Sequence, residues 1–242
     1  VAAELSAAGV QTVELGVQSL DDEVLELSRR GHTARRAEDA CRLLQAHGFS
    51  LGIQLMPGLP GDTVERSLQT MERVIALAPN FVRIYPTLVL AGTGLAELYR
   101  SGSYKPLSLS EAVALCKRLL LMARRASIPV IRMGIQATDI LDEPGTVLAG
   151  SYHPAFRQLV EGALYGDLLL QLLPGNPSTC VVRCHPSRVS DVAGQRRENL
   201  ERAAARGCRV QIVQDQEVGV DQLVVTAPGF AGRGSLLTEL DY

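Results

Sequence analysis

Two side chains twelve residues apart, Gln18 and Arg30, carry the first chemistry that the sequence offers. Gln18 closes a short run, Val13 to Val17, and precedes Ser19-Leu20-Asp21-Asp22, a helix start with carboxylates in its first turn. An amide donates and accepts at once, which suits ribose hydroxyls or an amino-acid carboxylate and equally suits a cap on the next helix. Arg29 and Arg30 fall at the end of that helix. There the helix dipole stabilises a cation in any case, and a guanidinium can also fork onto a ligand carboxylate. A second stretch, Leu55-Met56-Pro57-Gly58-Leu59-Pro60-Gly61, is a strand that ends in a rigid turn. Its prolines fix φ and its glycines admit a close neighbour, a way to present backbone groups to a flat adenine edge.

The elements that must position these residues alternate. Val13–Val17 reads as a buried parallel strand, followed by helix Leu20–Arg29 and by helix Ala37–His47 with Thr33 as its N-cap. Strand Phe49–Leu55, helix Val64–Ala78 capped by Asp62 or Thr63, and a strand Phe81–Leu90 that Pro86 ends or bends come next. A short helix Leu95–Tyr99, a long helix Ser110–Ala126 and strand Ile128–Ile135 complete the series. This rhythm predicts an α/β fold of parallel strands with right-handed crossovers, in which ligands collect at the C-terminal strand ends, where Gln18 stands. Turn residues from Thr138 to Tyr152 mark a boundary, which gives domains 1–137 and 138–242. Beyond it lie helix Pro154–Leu173, strand Cys180–Cys184, helix Gly194–Ala205, strand Arg209–Gln214 and an apolar stretch Leu223–Thr226. The last segment, with Gly229, Gly232 and Gly234, reads as a loop or frayed tail.

A chain of 242 residues with net charge -2 can bury a full core; that overall charge cannot argue for a nucleic-acid surface and leaves room for a local one. The five cysteines, an odd number spread through a long chain, are unlike a secreted disulfide framework and point to a reducing, cytoplasmic compartment. No apolar run approaches a membrane span, and VAAELSAAGV is no signal peptide. Without a starting Met, and opening inside a helix, the chain reads as a piece of a longer protein. Cys180 and Cys184 open a C-x3-C-x2-C pattern, but Ser187 stands where its third cysteine would be, and a strand sets both thiols on one face without a wrapping loop. They read as structural, with no metal site. His47 and His153 read as caps or surface residues, and the tail GFAGRG lacks the Lys-Ser/Thr ending of a phosphate loop. No carboxylate pair with His or Lys stands at strand ends for ordinary acid–base catalysis.

Taken in order, GVQS, Arg30-Gly31-His32-Thr33, LMPGLPGD and RIYPTLVLAGTGLAELYRSGSYKPLS resemble the radical S-adenosylmethionine (radical SAM) superfamily. The resemblance is nearest to the Elongator catalytic subunit and its bacterial relatives, with oxygen-independent coproporphyrinogen oxidase more distant. It covers residues 1–135. It implies a partial (β/α) barrel with a smaller C-terminal α/β extension, S-adenosylmethionine across the strand ends, and a [4Fe-4S] cluster whose electron cleaves it to a hydrogen-abstracting 5′-deoxyadenosyl radical. By motif position, Gln18 and Arg30 would contact the methionyl and ribose parts of S-adenosylmethionine, Gln54 would reach the ribose, and Met56 would join the cofactor site. Arg83 and Tyr85 would be catalytic, on the substrate side. The family's C-x3-C-x2-C loop has no counterpart here, so the cluster ligands are expected upstream of Val1 and the chain alone is expected to be inactive. Kinship implies tRNA modification, with tRNA and an electron donor as partners; the alternative is a non-catalytic module that binds S-adenosylmethionine, a nucleotide or RNA on the same fold.

Overall fold

Hydrophobic alternation and well-formed helix caps divide the chain into short strands and amphipathic helices. In the computed structural model, which describes residues 1–136, 141, 143–176 and 178–242, they form two compact units, Val1–Phe156 and Arg157–Tyr242. The first contains α1 (Ala2–Ala7), β1 (Thr12–Gln18), α2 (Asp22–Leu27), α3 (Ala34–Ala46), β2 (Ser50–Leu55), α4 (Val64–Ala76), β3 (Phe81–Ile84), β4 (Leu88–Leu90), α5 (Gly94–Arg100), α6 (Leu109–Arg125), β5 (Val130–Met133) and β6 (Val147–Gly150). Its main sheet has the order β1-β2-β3-β5, with every pairing parallel. Helix α3 packs on β1 and β2, α6 packs on β5, and α4 packs on α6.

Local chemistry sets the helix starts. Asp21 caps α2 by accepting from the Val24 amide, Thr33 caps α3, and α6 opens with a reciprocal capping box between Ser108 and Glu111. Of the two candidates for α4, Thr63 makes the cap. Asp62 instead folds back into the Pro-Gly turn, where its Oδ2 accepts from the Gly58 amide and the Ser67 hydroxyl, both at 2.7 Å.

Several expectations are corrected. Helix α2 ends at Leu27, so Arg29 and Arg30 lie beyond it, and Arg29 takes a left-handed φ of 53°. The run Val13–Val17 is not buried on both sides, because Glu14 and Gly16 are exposed while Val17 is buried. The segment 81–90 forms two strands, since Pro86 between them has no N–H for a ladder; β4 pairs antiparallel with β6 instead of extending the main sheet. That pairing carries residues 147–150 into the first compact unit, which runs to Phe156. Residues 137–140 and 142 of that turn-rich segment lie outside the described residues.

The second unit holds most of α7 (Phe156–Leu172), then β7 (Ser178–Cys184), α8 (Val189–Ala193), α9 (Glu198–Ala205), β8 (Cys208–Gln214), β9 (Gln222–Ala227), β10 (Phe230–Ser235) and α10 (Leu236–Glu239). Its sheet runs β10-β9-β7-β8, parallel between β7 and β8 and antiparallel elsewhere. The glycine-rich tail, expected to be a loop, is strand β10: Phe230 to Ser235 pair residue by residue with Ala227 to Gln222. The expected helix over 194–205 begins only at Glu198, after Arg196 and Arg197 with φ of 50° and 69°. Among its buried residues, Asn199 gives its Nδ2 to the carbonyls of Gly162, Asp191 and Val192. Among the described residues no helix is long and apolar enough to cross a membrane.

Candidate functional site

The alternating side chains of β1 put Glu14, Gly16 and Gln18 on one face of the main sheet. Register extends that face across the neighbouring strands: Glu14 is opposite Gly52, Gly52 opposite Phe81, Gln54 opposite Arg83, and Arg83 opposite Arg132. The other face carries Leu51, Ile53, Val82 and Ile84, all fully buried. A parallel sheet with one polar, accessible face is a departure from the two-sided burial usual for such sheets, and marks that face as the place for a ligand.

At the C-terminal ends of the strands the backbone itself is unusual. The β1–β2 register slips between Leu15 and Gln18, a bulge in which Gln18 takes a left-handed φ of 68°. The turn of the backbone re-aims the Gln18 amide, whose Oε1 accepts from Gln54 Nε2 at 3.2 Å. Gly16 makes room for it, since a Cβ there would meet Gln18 Nε2 at 2.5 Å. The Gln18 carbonyl accepts from the Met56 amide at 2.9 Å, which joins the bulge to the Pro-Gly turn.

Arg30 reaches the same place from the loop after α2. Its Nη2 donates to Met56 Sδ at 3.1 Å, a weak acceptor, while its Nε is buried with no hydrogen-bond partner. Burial lowers its pKa. His32 fixes this loop against β1, with Nε2 3.2 Å from the Val17 carbonyl oxygen and Nδ1 3.2 Å from that of Arg30. The structure thus brings together Gln18, Gln54, Met56 and Arg30. One strand over, Arg83 Nη1 donates to Tyr85 Oη at 3.4 Å and Arg83 Nε lies 3.2 Å from Glu14 Oε2. The Tyr85 hydrogen bond and the Glu14 charge both favour the Arg83 cation and raise its pKa.

Sequence reasoning missed Glu14, His32 and Arg132, the last of which donates to Gln136 Oε1 at 2.6 Å. The signal for Glu14 was the period-two series Glu14, Gly16, Gln18, hidden when the stretch is read as one apolar run. The histidines set aside as caps do act locally: His47 Nδ1 lies 2.9 Å from the Leu43 carbonyl oxygen, and His153 Nδ1 accepts from the Ala155 amide. Cys180 and Cys184 are buried and free, and burial pushes the Cys184 thiol up to about 11.

Two consecutive family profiles match the chain: the Radical SAM superfamily over residues 1–74 and the Radical SAM C-terminal domain over residues 79–165. The chain belongs to the radical SAM superfamily. Among curated radical SAM relatives, it is 36% identical over 138 residues to the tRNA uridine(34) acetyltransferase of Methanocaldococcus jannaschii, covering 55% of this chain and 26% of that protein. It is 33% identical over 141 residues to human Elongator complex protein 3, covering 53% and 26%. Among solved structures, Elp3 of the archaeon Methanocaldococcus infernus with an N-terminal deletion aligns with a TM-score of 0.57 at 29% identity, covering 69% of this chain and 38% of that one. The chain therefore spans about a quarter of the length of the curated relatives it matches. The α/β fold expected of a partial radical SAM barrel is the one found, and the family profile reaches Gln18, Arg30, Gln54 and Met56.

The residues present fit S-adenosylmethionine: an under-satisfied guanidinium for a carboxylate and two linked amides for a diol. They do not fit a [4Fe-4S] cluster. Among the described residues no group of three or more His, Cys, Asp or Glu side chains is placed to hold a metal ion.

Proposed function

We propose that this chain is the S-adenosylmethionine-binding part of a radical SAM enzyme of the Elongator type that modifies tRNA, acting in the cytoplasm with a separate electron donor. The observation that carries the reading is the meeting of the strained Gln18 bulge with an Arg30 guanidinium whose buried Nε has no hydrogen-bond partner and whose Nη2 has only the Met56 sulfur. Left-handed non-glycine backbone costs about 1–3 kcal/mol and persists where function requires it. In this reading Arg30 holds the methionyl carboxylate, replacing the weak Met56 sulfur contact with charge-assisted hydrogen bonds. Gln54 has already given one N–H to Gln18, so its Oε1 accepts from a ribose hydroxyl while Gln18 Nε2 donates to the same diol. Met56 packs beside the sulfonium end, and Arg83 and Tyr85 face the substrate as the catalytic pair. S-adenosylmethionine supplies, when reduced, the group that abstracts hydrogen. The cluster ligands belong to sequence outside this chain, residues 1–137 to the barrel, and 138–242 to the C-terminal extension.

Titration calorimetry with S-adenosylhomocysteine tests the assignment. Arg30→Ala should weaken binding about 10- to 100-fold, the equivalent of about 1.5–3 kcal/mol for a hydrogen bond to a charged group. Equal affinity in wild type and variant would remove Arg30 from the site.

A further inference from the structure

The Glu14–Arg83 pair spans a whole strand. Glu14 stands on β1 and Arg83 on β3, with β2 between them. The β2 residue opposite Glu14 is Gly52, whose place above the sheet is taken by the Phe81 ring, and the one opposite Arg83 is Gln54, so the pair crosses β2 on the diagonal between these two positions. Ion pairs between neighbouring strands are common; one that reaches over an intervening strand needs two long side chains, which Glu14 and Arg83 supply. The contact, Nε to Oε2 at 3.2 Å, is an ion pair without hydrogen-bond geometry, and both side chains are about a quarter to a third exposed. Arg83 Nη1 at the same time points at Tyr85 Oη, 3.4 Å away, so the Glu14 charge and the Tyr85 hydroxyl hold one guanidinium between them. With Arg83 as donor, Tyr85 keeps its own hydroxyl hydrogen for another acceptor.

We propose that Glu14 is a positioning residue: by holding Arg83 from across β2 it fixes the direction in which Tyr85 presents its hydroxyl on the polar face of the sheet. This rests on the reading above for what Tyr85 serves, but the coupling itself is a property of the chain alone.

The test uses the full chain with its six tyrosines labelled at Cζ, the Tyr85 resonance being assigned by its loss in Tyr85→Phe. Glu14→Gln should move the Tyr85 resonance in the same direction as Arg83→Gln, leave the remaining tyrosines in place, and add nothing in the Arg83→Gln background. A Tyr85 resonance that stays put in folded Glu14→Gln, or moves equally with and without Arg83, would overturn the proposal. Should Glu14→Gln not fold, Glu14→Asp shortens the reach across β2 while keeping the charge, and enters the same cycle with the same expectation. S-adenosylhomocysteine titrated into these samples separates the two readings. Glu14→Gln should bind within twofold of wild type, since its carboxylate is engaged by Arg83 and not by the Gln18–Gln54 pair. Wild type that binds none would sink the proposed function while the resonance cycle still decides the role of Glu14.

Discussion

A single carboxylate shows how the Pro-Gly turn below the site is held, and at what pH. Asp62 Oδ2 accepts from the Gly58 amide and the Ser67 hydroxyl, while its Oδ1 is buried without a hydrogen-bond partner. Burial raises its pKa, and the two hydrogen bonds only partly oppose that. The folded-state value therefore lies above the unfolded one, and between them the folded chain keeps a proton that the unfolded chain has lost. The contribution to stability is full below about pH 4, the ordinary carboxylate range, and is lost as pH rises through the folded-state value. Asp62→Asn has no such proton to lose and still offers an acceptor. Thermal melts taken stepwise from pH 4 to 7 should thus show the wild-type midpoint falling relative to that of Asp62→Asn; a relative rise would mean that the carboxylate is better solvated than its surroundings indicate.

At the scale of elements, the polar face of the sheet depends on β2 being thin at its centre. A Cβ on Gly52 would lie 2.3 Å from Phe81 Cε2 and Cζ, so the ring lies across the glycine. Gly52→Ala should cost about 1–3 kcal/mol, the usual range for overpacking, and Phe81→Leu in the same chain should recover part of it, as measured by urea unfolding. Full additivity of the two changes would show that the ring does not set the cost. Strand and helix order was legible in the sequence because caps such as Thr33 and Thr63 and the apolar spacing of α3, α4 and α6 are local signals. What was not legible is what depends on partners far along the chain. The slip that turns Gln18 over, the pairing of β4 with β6, and the conversion of the Gly229–Gly234 tail into a strand are all decided by a neighbouring strand. The sequence placed Gln18, Arg30, Gln54 and Met56 in one neighbourhood through a family resemblance; Glu14 was hidden in a stretch read as one apolar run, and only register showed why that residue matters.

For the whole molecule, each unit has its own sheets, and the cysteines are buried in both. Cys41 and Cys116 are fully buried in the first unit, and Cys180, Cys184 and Cys208 in the second. Burial pushes the thiols of Cys41 and Cys184 up to about 11, with the Glu38 charge adding to the first and the Asp191 charge to the second. Iron takes the thiolate, so a ligand in these positions would have to be deprotonated against its surroundings and drawn out of a packed strand. Cys180 and Cys184 do share a face of β7, but that face is the one turned into the core with Val182. Anaerobic incubation of this chain with iron and sulfide should therefore leave no stoichiometric cluster, and the Cys180→Ser/Cys184→Ser double variant should retain the same trace of iron as wild type. A stoichiometric cluster that disappears in the double variant would assign the metal to the second unit, and would require β7 to open in a way that its ladder with β8 and β9 opposes.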